Sequence, residues 1–488
     1  MNKLIQKYNQ MTVQVRASFW FLICSFLQKG ISVVTTPIFT RLLTTEEYGL
    51  YNVFNSWLGI VTVFVSMNLF QGVYAQGVVK FEDDRDVFSS SMQGLNLTLL
   101  IAWLGVYLLF RNFINDLLSI TTVHMFCMLI LIWATAVFRF WATEQRVMYK
   151  YRLLVAVTLI ISLCKPLVGI IMVMNSQDKV TARILGLTLV ELIGYTGFFF
   201  VQFGKGKVFY SGKYWKYALC YNIPLIPHYL SSIVLSSSDR LMINSMVNAS
   251  AAGIYALAYS VSQLMIIFNS SINQTLTPWI YQKIKSGKTE GIGRIVNSCL
   301  LFVAFFNCIL IFLAPEVVSV FAPRSYYDAI WAIPPVAMSV YFIFCYDMFS
   351  KFAFYYEKTT LIAGATVCGA LLNIVLNYIF IKQFGFVAAG YTTLVCYLLF
   401  SILHYLVMAN ICRKNKLVNP IKLNSLLQIT VSFCAISFLA MMTYKLPVIR
   451  YGIVGLACVV IILYRRKIIR FVKELLEIKK APKHTEQA

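Results

Sequence analysis

Apolar residues fall into long unbroken runs, not into the period-two spacing of half-buried strands or the spacing of amphipathic surface helices. Each run reaches about the 20 residues that a helix needs to cross a hydrocarbon core. With polar breaks taken as boundaries, spans are predicted near 17–39, 49–75, 88–110, 122–142, 153–174, 183–203, 217–238, 252–274, 295–313, 329–350, 360–381, 386–410, 424–443 and 448–464. The pattern predicts an all-α polytopic membrane protein of about fourteen transmembrane helices. The longest polar stretch between runs, around 204–216, is loop-sized, which leaves no room for a soluble catalytic domain with a core of its own.

Composition sharpens this picture. The 488 residues are 59% hydrophobic and 12% charged, against about a quarter charged in an average soluble domain. With an even number of spans both termini share one side. Starting inside, the inner segments collect roughly three-quarters of all Lys and Arg, so the positive-inside rule puts both termini in the cytoplasm of a multi-pass protein. The net charge of +23 includes clusters such as Lys205, Lys207, Lys213 and Lys216, or Arg465, Arg466, Lys467 and Arg470. Clusters at alternate loops serve insertion and contact with anionic membrane lipids, so no nucleic-acid partner is expected. The twelve cysteines stand singly, with no C-x-x-C pair and no histidine at metal-ligand spacing, so neither a metal nor another cofactor is expected. The N-terminal segment 1–16 precedes a span too long for a signal-peptide core and is expected to be retained.

A weak internal repeat lies beneath the apolar background. TRLLTTEEYGLYNVF from Thr40 and NSMVNASAAGIYALA from Asn244 both place Gly-aliphatic-Tyr after a short polar break, so that Gly49, Leu50 and Tyr51 recur as Gly253, Ile254 and Tyr255. The shift carries spans one and two onto seven and eight, as in a parallel repeat. Proteins built from such repeats place a substrate site between the halves and rock one half against the other.

Three segments carry a family resemblance. IPLIPHYLSSIVLSSSDRLMINSMVNASAAGIYALAYSVSQL, Ile223 to Leu264, resembles the seventh and eighth helices of polysaccharide-repeat (O-antigen, capsule or exopolysaccharide) flippases of the multidrug/oligosaccharidyl-lipid/polysaccharide exporter superfamily. PIFTRLLTTEEYGLY, Pro37 to Tyr51, is similar to the same family's N-terminal pattern, and LNIVLNYIFIKQFGFVAAG, Leu372 to Gly390, to its eleventh and twelfth helices. The resemblance implies two six-helix lobes in a V around a central cavity, plus two C-terminal helices. On this chain that predicts an N-lobe at 17–203, a basic linker at 204–216, a C-lobe at 217–410, the extra helices at 424–464 and a basic tail at 465–488. It also implies inner-to-outer transfer of undecaprenyl-diphosphate-linked oligosaccharide units across a bacterial cytoplasmic membrane by alternating access. Polysaccharide polymerase and assembly proteins would be the partners.

Such a cargo needs cations near the middle of the cavity, since burying one bare ion costs on the order of 20 kcal/mol in the idealised limit. Lys29, flanked by Gln28 halfway along the first span, and Lys165, directly before Pro166 in the fifth, are the charges too deep to snorkel easily. Both are candidates for the diphosphate. Each has a structural alternative, pairing with an acid or a freed carbonyl. Arg139, with Glu144 and Arg146 at the inner end of the fourth span, is placed either to meet the headgroup or to anchor at the interface. Asp239 and Arg240 close the seventh span and read as an outer gate, with Arg240 also a candidate contact for the diphosphate or sugars, or as an interfacial ion pair. Pro224 and Pro227 break the same span and read as a hinge or a static kink. Glu191 and Asp347 are the other deep acids, suited to ion coupling or to neutralising a buried lysine.

Competing classes are weighed on the same residues. The loop QKIKSGKTEG at Gln282 lacks the first glycine and the preceding strand of a phosphate loop. A sibling exporter of drugs or of the peptidoglycan lipid precursor would share the architecture, although a deep lysine suits an anion better than a cationic drug. A membrane-embedded polymerase or glycosyltransferase would need a large outer loop or an acidic cluster. The acid-rich run Glu82–Asp86 sits instead in a short loop with Lys80 and Arg85. The expectation is therefore a transporter and not an enzyme, with no catalytic residues.

Overall fold

The computed structural model of the chain describes residues 12–287 and 289–456, together with positions 459, 462, 463 and 465. Among the described residues the secondary structure is helical without a strand, and thirteen helical segments are long and apolar enough to cross a membrane. Helices satisfy every backbone N–H and C=O within the segment, which is what a hydrocarbon solvent demands of a spanning chain. The protein is an all-α polytopic membrane protein. Of the fourteenth expected span, 448–464, the short apolar helix over 447–456 and the helical positions 459, 462 and 463 are described, and the basic tail beyond position 465 lies outside the described residues.

The chain divides into two compact units, the first ending at Gly253 and the second beginning at Ile254. In the first, α1 (Val13–Leu42), α2 (Thr45–Ser66), α3 (Val73–Lys80), α4 (Arg85–Leu109), α5 (Arg111–Leu118), α6 (Thr122–Val147), α7 (Tyr151–Met174) and α8 (Lys179–Gly206) are followed by α9 (Gly212–Asn222) and α10 (Ile226–Met246). Local chemistry sets the starts. Thr44 and Glu47 form a reciprocal capping box at α2, with bonds of 2.8 and 3.1 Å. Thr121 caps α6, and Asp178 caps α8 by accepting from the Thr181 amide at 3.0 Å. Helix α8 sits centrally, packed against α4, α6 and α7. It approaches α7 closely where Gly169 and Gly186 meet, because a Cβ on Gly186 would lie 3.1 Å from the Gly169 Cα.

The repeated glycines meet as well. A Cβ on Gly49 would fall on the Ala249 carbonyl, and one on Gly253 on the Thr45 carbonyl. The Ser250 hydroxyl donates to Thr45 Oγ1 at 2.7 Å beside them. The repeat thus marks a backbone-to-backbone crossing that only residues lacking a Cβ permit.

Helix α11 (Ala249–Lys285) leads into the second unit, which contains α12 (Glu290–Phe312), α13 (Ala314–Phe321), α14 (Ala329–Tyr355), α15 (Thr359–Phe384), α16 (Val387–Lys414), α17 (Leu423–Met442) and α18 (Pro447–Leu456). Apolar on every side, α14 becomes this unit's core helix. Its most apolar window is 83% buried, against 11% for α1, and it packs chiefly on α16. Asn373 and Asn377, one turn apart on α15, spend their amides on each other and on Thr392 and Thr393 of α16.

Two expectations drawn from polar breaks are corrected. Asp239 and Arg240 do not close a helix. The chain stays helical through Met246, Asp239 is 1% exposed, and Arg240 Nη2 donates to the Ser236 carbonyl one turn back at 2.9 Å. A charged pair need not interrupt a helix when its side chains find partners there. The fourth span likewise continues past 142 to Val147, which carries Glu144 into the interior at 2% exposure. Glu191 and Asp347 are therefore not the only other deep acids.

Candidate functional site

A cavity of about 810 Å³ opens inside the first unit, bounded by α1, α2, α6, α7 and α8. Its charged lining is Arg139, Arg146, Lys165 and Glu191. Three cations against one carboxylate leave two positive charges. Amide and hydroxyl groups from Gln28, Asn55, Asn68, Gln71, Thr143 and Thr158 line the same space.

The lysine and the glutamate account for each other. Lys165 Nζ lies 2.5 Å from Glu191 Oε1, and Thr135 Oγ1 donates to Glu191 Oε2 at 2.5 Å. The Lys165 ammonium also stands 5.5 Å from the centre of the Tyr195 ring. The glutamate side chain is 8% exposed and the lysine 29%, so the carboxylate is fixed in the wall and the ammonium reaches towards the cavity. Gln28 donates to Ser162 at 3.0 Å nearby, tying α1 to α7 just under one turn before Lys165.

The arginines are placed differently. They are seven residues apart on α6, hence on one face and about 10 Å apart along the axis. Arg139 lies 4.6 Å from the centre of the Phe70 ring. Among the described residues neither arginine forms an ion pair. Placing such groups in a transmembrane bundle without a counter-ion is costly, and an anionic ligand would remove that cost.

Of the candidates from sequence, the fold gathers Gln28, Lys165, Arg139 and Glu191 into this cavity. Lys29 is exposed and is not part of its lining, because adjacent helix residues diverge by about 100° and Gln28 takes the inward direction. Arg240 and Asp239 lie on α10, outside that lining. Pro224 falls in a 3-10 turn over Ile223–Leu225 and Pro227 in the first turn of α10, so the chain breaks between α9 and α10. Asp347 belongs to the second unit. There the Asn273 amide donates to its carboxylate at 2.7 Å, and Lys351 donates to Asn273 Oδ1 at 2.7 Å.

Glu144, grouped in sequence with Arg139 and Arg146 at the inner end of the fourth span, instead turns into the helix packing, while Thr135 and Arg183 were not singled out from sequence. Glu144 accepts from Gln202 at 2.5 Å, within a buried network that includes Gln93 and Tyr74. Thr135 is one threonine among many, visible only through its partner. Arg183, the first residue of a predicted span, stacks 3.8 Å from the Phe39 ring centre and 3.5 Å from that of Tyr51.

Comparison with known proteins adds to this geometry. Residues 15–283 match the family described as "Polysaccharide biosynthesis protein", and residues 224–379 match the MatE family. A curated relative from Haloferax volcanii, "Probable low-salt glycan biosynthesis flippase Agl15", is 26% identical over 176 residues, covering 34% of this chain and 36% of that protein. A protein of the lsg locus of Haemophilus influenzae is 23% identical over 211 residues, covering 41% and 51%. The matches thus span about half or less of these relatives. Among solved structures, the lipid II flippase MurJ in an inward closed conformation aligns with TM-score 0.67 and 16% identity, over 91% of this chain and 99% of that one. An inward-facing multidrug resistance MATE transporter aligns with TM-score 0.61 and 12% identity, over 80% and 96%. At these identities the structural likeness concerns the fold.

Proposed function

Because the chain belongs to the polysaccharide biosynthesis protein family, we propose that it is a flippase which moves lipid-linked oligosaccharide units across a membrane. Its cargo is an undecaprenyl-diphosphate-linked repeat unit, transferred from the inner to the outer leaflet of a bacterial cytoplasmic membrane with both termini on the cytoplasmic side. The observation that carries this reading is the pair Arg139 and Arg146, two guanidinium groups on one face of α6 that form no ion pair among the described residues, in a cavity whose lining also offers amides and hydroxyls. Guanidinium forks match phosphate oxygens, and amide and hydroxyl groups match sugars.

The flippase named among the relatives and the flippase fold of MurJ support transport over synthesis. The protein acts by alternating access as a transporter and not an enzyme, handing its cargo to polymerase and assembly proteins. A membrane potential, negative inside, favours outward movement of an anion by about 2.3 kcal/mol per charge at 100 mV.

The test is reconstitution of the full chain in liposomes with a headgroup-labelled undecaprenyl-diphosphate oligosaccharide, scoring exposure of the label to a membrane-impermeant quencher. Protein-dependent movement lost in an Arg139→Gln, Arg146→Gln variant is expected. Absence of movement with well-folded wild-type protein, while lipid II or a cationic drug is carried, would assign the protein to a sibling exporter.

A further inference from the structure

Lys165 lines two cavities. Besides the large one it borders a chamber of about 300 Å³ between α1, α2, α7 and α8, whose other cation is Arg183. Consecutive spans alternate in direction, so α6 and α8 run the same way, and Thr135 and Glu191 mark one level on both. From that level Arg139 lies four residues along α6, about 6 Å, and Arg146 about 16 Å, whereas Arg183 lies eight residues back along α8, about 12 Å the opposite way. These cations cover about 28 Å, close to the roughly 30 Å of a hydrocarbon core.

Between Arg139 and Arg183 the gap is about 18 Å, longer than a diphosphate. Lys165 stands within that gap. Resting on that reading of the function, we propose that Lys165 is a transfer post between two anion chambers, and that the smaller chamber is a second diphosphate subsite with Arg183 as its cation. The diphosphate enters between Arg146 and Arg139, draws the ammonium off Glu191, and passes with it to Arg183. A lysine suits the moving position, being a point charge on a flexible stem. An arginine suits the fixed one, because the Phe39 and Tyr51 rings hold its plane. Among the described residues Glu191 then keeps only the Thr135 hydroxyl as donor, and the contact of the ammonium with the diphosphate offsets the cost of that separation.

The experiment measures two quantities on the full-length protein with the same headgroup-labelled lipid: equilibrium binding in detergent and movement in liposomes. Arg183→Gln is expected to bind within about twofold of wild type and to move the label at least tenfold more slowly, with Arg183→Lys restoring part of the rate. Glu191→Gln, which leaves Lys165 unopposed, is expected to bind at least as tightly and to move the label more slowly. Leu187→Trp, which fills the small chamber without changing charge, provides a second route should Arg183→Gln fail to fold, and it too should slow movement while sparing binding. Movement at the wild-type rate in Arg183→Gln or Leu187→Trp overturns the second subsite. So does a loss of binding in proportion to movement, since that indicates a single site. A wild-type protein that neither binds nor moves the label overturns the flippase reading itself, a result separable from the others.

Discussion

Removing either partner of the Lys165–Glu191 pair should cost very different amounts. Lys165→Met leaves a carboxylate in the helix wall, 8% exposed, with Thr135 as its remaining hydrogen-bond donor. Breaking a buried ion pair in this sense costs about 3–5 kcal/mol. The lower end applies because cavity solvent already reaches the lysine side, 29% exposed. Glu191→Gln keeps an acceptor for Thr135 and frees an ammonium that can swing into the cavity, which places the loss at about 1 kcal/mol, typical of an exposed pair. The double variant leaves no stranded charge and should fall close to Glu191→Gln, giving a coupling energy of about 3 kcal/mol in magnitude. Thermal unfolding in detergent, followed with a thiol-reactive dye on the buried cysteines, should show Lys165→Met melting at least several degrees below wild type and Glu191→Gln much closer to it. Equal losses, or a larger loss for Glu191→Gln, would refute the view that the carboxylate is fixed and the ammonium mobile.

Three further outcomes follow from the same geometry. Headgroup binding should weaken as salt rises, and the Arg139→Gln, Arg146→Gln variant should both lose about 10–100-fold in affinity per charge-assisted contact and show a shallower salt dependence in a titration at several ionic strengths. Gly49→Ala should destabilise the protein by about 1–3 kcal/mol, because its Cβ falls on the Ala249 carbonyl, whereas Gly105→Ala, where a Cβ meets nothing within 4 Å, should be neutral or stabilising in the same melt. Asn273→Leu should cost about 2 kcal/mol, since the amide bridges the half-buried Asp347 carboxylate and the buried Lys351, which keeps, among the described residues, only the Asp347 carbonyl at 2.9 Å, whereas Asn373→Leu removes hydrogen bonds between neutral groups and should cost less.

The all-α spanning architecture was legible in the sequence, and thirteen of the fourteen expected spans are found as long apolar helices among the described residues, because the signal is local: an apolar run either is or is not long enough to cross hydrocarbon, whatever packs beside it. The family pattern was legible for a similar reason, carried by Pro37–Tyr51 and Ile223–Leu264 as they stand. Boundaries at charged residues were less so. A lone Asp-Arg pair such as Asp239–Arg240 looks like a break in a hydropathy plot, and only its packing reveals that the helix continues. The depth of Lys165 and Glu191 was visible, but whether they met was not, since pairing between α7 and α8 depends on their rotation and register.

Rotation also separates Gln28, which faces the cavity, from Lys29, which does not, though both sit at the same depth. The repeat placed Gly49 and Gly253 in corresponding positions without saying that they touch. What the chain determined by itself was therefore what depends on one segment and its solvent: the spans, their polarity and the family. Which charges neutralise one another, which form no ion pair, and where two backbones come into contact depend on how separate helices turn and cross. Tertiary structure decided those, because each is a relation between residues far apart in the chain.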